Sequence, residues 1–97
     1  MYRILIADDE GIMLKSLEEI ITKEFGDEME VMCVRSGREA IEAAESFRPD
    51  IAFMDIYMPG INGISAVREI RKFHAGCLFY VISAYNKFDY AKDAIAL

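Results

Sequence analysis

The sequence contains no tryptophan, one histidine, two prolines and two cysteines among 97 residues. Cys33 and Cys77 each lie inside an apolar run, which predicts small buried thiols rather than a disulfide, and a reducing, cytoplasmic setting. His74 falls near the end of a predicted helix, where we expect a solvated side chain that interacts favourably with the helix dipole rather than a phosphocarrier. No apolar run approaches the roughly 20 residues of a membrane span, and no signal peptide is evident.

Basic residues are also scarce, since the chain has 11 Lys and Arg against 17 Asp and Glu, which gives a net charge of −6. Phosphate backbones and anionic membranes attract basic surfaces, so neither nucleic acid nor membrane is an expected partner of this domain. The apolar fraction of 54% is enough for a real core. Composition therefore predicts one folded domain over residues 1–97.

Short apolar runs alternate with helical patterns along the chain. The strands are expected at residues 2–7, 30–35, 51–55 and 77–82. The first helix starts at Gly11 and stops before Gly26, and Ser36 and Asn62 are expected to cap the next two. A fourth helix should open near Asn86 and run to the last residue. This alternation predicts a doubly wound α/β fold, with a parallel sheet and helices on both faces.

Acidic residues follow two of these strands. Asp8 and Asp9 end the first strand and Asp55 ends the third, so a parallel sheet brings them to one edge. Carboxylates about 4 Å apart repel by roughly 4 kcal/mol at an effective dielectric near 20, which a cation or a proton must offset. Oxygen ligands without nearby His or Cys favour Mg²⁺, and an Asp beside Mg²⁺ is a competent nucleophile toward phosphorus. Ser83 ends the fourth strand, and its hydroxyl is expected at the same rim. In the alternative interpretation, the acidic pair caps the first helix and Asp55 is a turn residue.

Three segments together resemble the receiver domain of two-component response regulators: residues 4–10 (ILIADDE), 55–63 (DIYMPGING) and 81–85 (VISAY). The resemblance implies a flavodoxin-like, CheY-like fold with the fifth strand next to the fourth. It also implies that Asp55 accepts the phosphoryl group. Asp8, Asp9, Asp55 and the backbone carbonyl of Tyr57 would hold Mg²⁺, and Ser83 would contact the phosphoryl group and couple it to a switch.

The same resemblance implies partners. A sensor histidine kinase would donate the phosphoryl group to Asp55, and the domain would switch an output, expected to be transcriptional, without being a turnover enzyme. Residues 85–92 look most like regulators that join their receiver to an AraC-type DNA-binding domain, so such a C-terminal domain is expected in the full-length protein.

The sequence departs from the family pattern at its end, since the fifth strand with its lysine and the fifth helix are not found. We therefore expect a strand order of 2-1-3-4 and a receiver domain that is incomplete at the C-terminus. The fourth strand would then be an exposed apolar edge, which predicts self-association or marginal stability.

Two other functions stay open at this point. One is a small Mg²⁺-dependent phosphohydrolase with an Asp nucleophile, although the adjacent Asp8 and Asp9 and the distant Asp55 fit its usual pattern poorly and no general acid is evident. The other is an interaction module that works without phosphorylation, favoured if the family's lysine is truly absent.

Overall fold

Four strands and three α-helices alternate along residues 1–82, which are the residues that the computed structural model describes. The strands are β1 (Tyr2–Ala7), β2 (Met29–Val34), β3 (Ile51–Asp55) and β4 (Leu78–Ile82). The helices are α1 (Gly11–Phe25), α2 (Gly37–Phe47) and α3 (Gly63–Phe73), and a 3₁₀ turn at Gly26–Glu28 follows α1. Ser83 and the predicted fourth helix lie outside the described residues.

All strand pairs are parallel, and the sheet order is β2-β1-β3-β4. The doubly wound α/β fold and the predicted order 2-1-3-4 are therefore confirmed. In the register, Ala7 lies opposite both Val34 and Met54, so β1, β2 and β3 end at one edge of the sheet. The amide of Asp8 donates to the Val34 carbonyl at 3.1 Å, which continues the β1–β2 ladder one residue into the loop.

The core has a layer on each face of the sheet because successive residues of β1 point to opposite sides. Leu5 and Ala7 join the cluster that packs under α2 and α3. Ile4 and Ile6 instead join Leu14 and other residues under α1. All four β1 residues are at most 2% exposed, as expected for the central part of a parallel sheet. Within residues 1–82, none of the helices has the length and apolarity that crossing a bilayer requires.

Side-chain caps fix the starts of α2 and α3 as predicted. The Ser36 hydroxyl accepts a hydrogen bond from the Glu39 amide at 3.1 Å, and the Asn62 side chain accepts one from the Ser65 amide at 2.9 Å. Gly26 ends α1 with a positive φ of 58°, and its amide donates to the Thr22 carbonyl. These contacts satisfy backbone groups that helix ends otherwise leave unpaired.

Two expectations for single side chains were wrong in part. Cys77 is buried, but Cys33 is only half-buried because it lies on β2, an outer strand of the described sheet. His74 is not simply solvated, since its Nε2 lies 2.6 Å from the Pro49 carbonyl oxygen and joins the end of α3 to the loop before β3. Strand bounds also shift slightly, as β2 begins one residue earlier and β4 one residue later than predicted.

The loop after β3 returns so closely to its own strand that α3 must begin with glycine. The Gly63 amide donates to the Ile56 carbonyl at 3.0 Å. A Cβ at Gly63 would lie 2.1 Å from the carbonyl oxygen of Asp55, far inside van der Waals contact with backbone that cannot swing away. The close return fixes this loop against the end of β3.

We therefore expect Gly63→Ala to destabilise the protein by about 2–4 kcal/mol through steric overlap with the Asp55 backbone. Gly76→Ala is the matched control, because nothing lies within 4 Å of a Cβ there. Urea unfolding followed by circular dichroism measures both variants. Equal stability of the two variants would contradict the close packing at Gly63.

β4 is unusually exposed for an apolar strand, with Leu78 59% and Tyr80 53% exposed. Within the described sheet, β4 pairs on one side only, with β3. The Tyr80 ring stacks on Phe53 at 5.5 Å between centroids, so the apolar surface of β4 adjoins the half-buried Phe53 of β3. Exposed apolar strands of this kind favour association with other chains, and self-association at β4 stays a prediction.

If β4 mediates self-association, Tyr80→Lys should shift the protein toward monomer because a charged side chain resists burial between chains. Ile12→Lys, at an 81% exposed position on α1, is the control for added charge. Sedimentation velocity over a range of protein concentrations measures the oligomeric state of each variant. A wild-type protein that stays monomeric throughout would contradict the prediction.

Candidate functional site

Three carboxylates meet at the edge where β1 and β3 end. One oxygen from each of Asp8, Asp9 and Asp55 lies within 4.8 Å of the other two. Asp8 is 5% exposed and Asp55 is 8% exposed, whereas Asp9 is half-buried. The predicted convergence of these residues is therefore confirmed, and we refer to them below as the acidic cluster.

Backbone amides hold two of these carboxylates in place. Asp8 Oδ1 accepts a hydrogen bond from the Glu10 amide at 2.9 Å, and Asp55 Oδ1 accepts one from the Tyr57 amide at 3.3 Å. The N-cap position of α1 is Glu10, which makes no side-chain capping bond. The alternative interpretation of Asp8 and Asp9 as caps of the first helix is thus wrong, because neither occupies the cap position.

The electrostatics of the acidic cluster oppose its own ionisation. Burial raises the pKa of Asp55 to about 6, and the negative charge of Asp8 adds to this, against a lowering by the hydrogen bond from Tyr57. Burial also raises the pKa of Asp8, and the charge of Asp9 contributes in the same direction. No basic side chain is among the causes of either shift. The cluster therefore favours a cation or a proton.

The donor set fits a hard divalent cation. Three carboxylate oxygens converge without a histidine or cysteine among them, which suits Mg²⁺ better than zinc or a softer metal. The structure gives less information on Tyr57 and Ser83, the other two predicted site residues. The Tyr57 amide faces Asp55, but a metal-binding role for its carbonyl stays a prediction, and Ser83 lies outside the described residues.

Arg35 is a neighbour of the site that the sequence analysis did not single out. It follows β2 directly, and its Nη2 donates to the backbone carbonyl of Asp9 at 2.9 Å. The signal was present in the predicted sheet order, because the residue after β2 must lie beside the residues after β1. Sequence patterns place the backbone there, but they do not tell which way a long side chain turns.

A parallel α/β sheet in the order 2-1-3-4, with acidic residues gathered at the carboxyl ends of its strands, defines the class of flavodoxin-like domains. Within that class, the family model for the response regulator receiver domain matches residues 4–97. The chain belongs to this receiver domain family, as the motifs at Asp8, Asp55 and Ser83 predicted.

Relatives and a solved structure agree with this assignment. The transcriptional regulatory protein YesN of Bacillus subtilis is 34% identical over 98% of this chain, which spans only 26% of YesN. The chemotaxis protein CheY of Thermotoga maritima is 42% identical over 88% of this chain and 69% of its own length. A chain in the CheX–CheY–BeF₃–Mg²⁺ complex from Borrelia burgdorferi superposes with a TM-score of 0.85 at 28% identity, covering 98% of this chain and 71% of that one.

Replacing Asp55 with Asn should stabilise the metal-free protein at pH 7.5 by about 2 kcal/mol, because it removes a buried charge next to Asp8. The pKa of Asp55 lies at about 6 in the folded protein, above its ordinary value of 3.8, so the folded state binds the proton more tightly. The stability of the wild type should therefore fall as pH rises from about 4 to about 6, whereas Asp55→Asn lacks this contribution.

Thermal unfolding of both proteins between pH 4 and pH 8 measures this difference, which should close toward pH 4. Millimolar Mg²⁺ should then stabilise the wild type more than Asp55→Asn, since a bound cation offsets the same repulsion. A variant that is less stable than the wild type at every pH would contradict the account of the acidic cluster.

Proposed function

We propose that Asp55 is the phosphoacceptor of this receiver domain and that a sensor histidine kinase is the donor. An Asp55 carboxylate oxygen attacks phosphorus, the new O–P bond forms, and the N–P bond to the donor histidine breaks, leaving the electron pair on the imidazole. The observation that carries the proposal is the convergence of Asp8, Asp9 and the buried Asp55 at one sheet edge. At pH 7 and above, Asp55 is largely ionised and therefore nucleophilic.

Asp8, Asp9, Asp55 and the backbone carbonyl of Tyr57 would hold Mg²⁺, with Asp9 a more direct ligand than Asp8. When bound there, Mg²⁺ would supply positive charge that offsets the negative charge of phosphoryl oxygens. Support comes from the carboxylate donor set and from the similarity to a chain in a complex that contains Mg²⁺ and beryllium fluoride. Ser83 would donate its hydroxyl to the transferred group and couple it to the output.

The output is proposed to be transcriptional. YesN, a transcriptional regulatory protein, matches nearly the whole chain, and only about a quarter of YesN corresponds to it. We infer an attached DNA-binding domain of AraC type in the full-length protein and a cytoplasmic location. Phosphorylation would act as a switch rather than as one step of a turnover cycle, which separates this proposal from a phosphohydrolase.

Labelling with acetyl phosphate and Mg²⁺, read by intact mass, tests the acceptor. The wild type should gain the mass of one phosphoryl group, Asp55→Asn should not, and the gain should require divalent cation. Asp27→Asn is the matched control, because Asp27 is an exposed carboxylate on the turn after α1, outside the acidic cluster.

A mass gain that persists in Asp55→Asn would overturn the assignment of the acceptor. Absence of any gain in the wild type, with Mg²⁺ binding intact, would instead favour an interaction module that works without phosphorylation. Release of inorganic phosphate over many turnovers would favour the phosphohydrolase.

A further inference from the structure

Arg35 lies at the rim of the acidic cluster through contacts to the loop that carries Asp8 and Asp9. Its Nη2 donates to the Asp9 carbonyl at 2.9 Å. The guanidinium also lies against Gly11 at the start of α1. A Cβ built at this glycine would lie 3.8 Å from each of the two Nη atoms. Val34 directly precedes Arg35, and its carbonyl accepts a hydrogen bond from the Asp8 amide. This bond holds the backbone next to Arg35 against the same loop.

The positive charge of Arg35 is not offset by a carboxylate partner among residues 1–82. The ion pairs in this part of the chain are Arg3–Glu30, Arg38–Glu42 and Lys72–Glu69. Its hydrogen-bond acceptor is a neutral carbonyl, and Arg35 is not a cause of the pKa shifts of Asp8 or Asp55. The exposed guanidinium, held against the loop that carries Asp8 and Asp9, therefore keeps its charge available to a third group.

A phosphoryl donor reacts faster with such a charge nearby, because the donor is an anion that must approach three carboxylates. Even with a divalent cation bound, the acidic cluster keeps a net negative charge. A cation at the rim reduces the repulsion that the donor meets on approach, and such steering acts on rate and weakens with salt.

We propose that Arg35 is a specificity-determining residue that attracts the anionic phosphoryl donor to Asp55. The inference rests on the proposed function of Asp55 and adds a residue that discriminates donors by charge. A donor with more negative charge should depend on Arg35 more strongly than a donor with less.

Two small donors test this difference, since acetyl phosphate carries more net negative charge at neutral pH than phosphoramidate does. We expect Arg35→Gln to slow phosphorylation by acetyl phosphate about threefold to tenfold at low ionic strength, and phosphorylation by phosphoramidate much less. The difference should largely disappear in about 0.5 M salt. Arg35→Lys, which keeps the charge, should restore most of the rate.

Arg38→Gln is the matched control, because Arg38 is an exposed arginine on α2 that is already paired with Glu42 at 3.2 Å. It should leave both rates unchanged. If Arg35→Gln instead slows both donors equally, without salt dependence and without rescue by lysine, Arg35 only holds the loop and the proposal is wrong. Unchanged rates in Arg35→Gln would also overturn it.

A second measurement is independent of phosphorylation. In Asp55→Asn with Mg²⁺, titration with acetyl phosphate should move the Nε–H NMR resonance of Arg35 in a saturable way. The resonances of Arg38 and of Arg68, an exposed arginine on α3, should stay in place. No shift at Arg35, or equal shifts at all three arginines, would overturn the proposal. Failure of the wild type to be labelled by either donor would count against the role of Asp55, while this titration would still decide the role of Arg35.

Discussion

The mutual repulsion of Asp8, Asp9 and Asp55 is the interaction on which the rest of this structure depends. Three carboxylates within a few ångströms at a largely buried edge are unfavourable unless they gain a cation or a proton. The fold tolerates them because β1 and β3 are adjacent parallel strands whose ends the surrounding core fixes. The repulsion within the acidic cluster is thus locally destabilising, as is common at functional sites.

The loops around the cluster hold it in position through backbone rather than through side-chain pairing. Amides of Glu10 and Tyr57 donate to Asp8 and Asp55, and the close return at Gly63 presses the following loop against the Asp55 backbone. Gly37 has a similar role, since a Cβ there would lie 2.3 Å from the Ile61 carbonyl oxygen. Backbone donors orient a carboxylate without supplying the full positive charge that would compete with a bound cation.

The sequence allowed the site to be predicted because its geometry follows from topology. Once alternating strands and helices indicate a parallel sheet, residues at the ends of neighbouring strands must meet at one edge. The convergence of Asp8 and Asp55 could therefore be predicted without further information. Arg35, Cys33 and His74 were missed or misjudged for a different reason. Their environments depend on where long side chains turn and on how deeply an outer strand is covered, and neither property leaves a periodic pattern in the sequence.

At the opposite edge of the same sheet, where the strands begin, an acidic residue has a structural role. Asp50 lies five positions before Asp55, yet its carboxylate accepts the Arg3 amide at 2.8 Å, and its own amide and carbonyl pair with Arg3 and Leu78. At this edge His74 also bonds the Pro49 carbonyl. Polar groups there join neighbouring strands to one another, whereas at the carboxyl edge Asp55 faces two other acids. The acid just before β3 therefore joins neighbouring strands, whereas the acid that ends β3 lies among like charges.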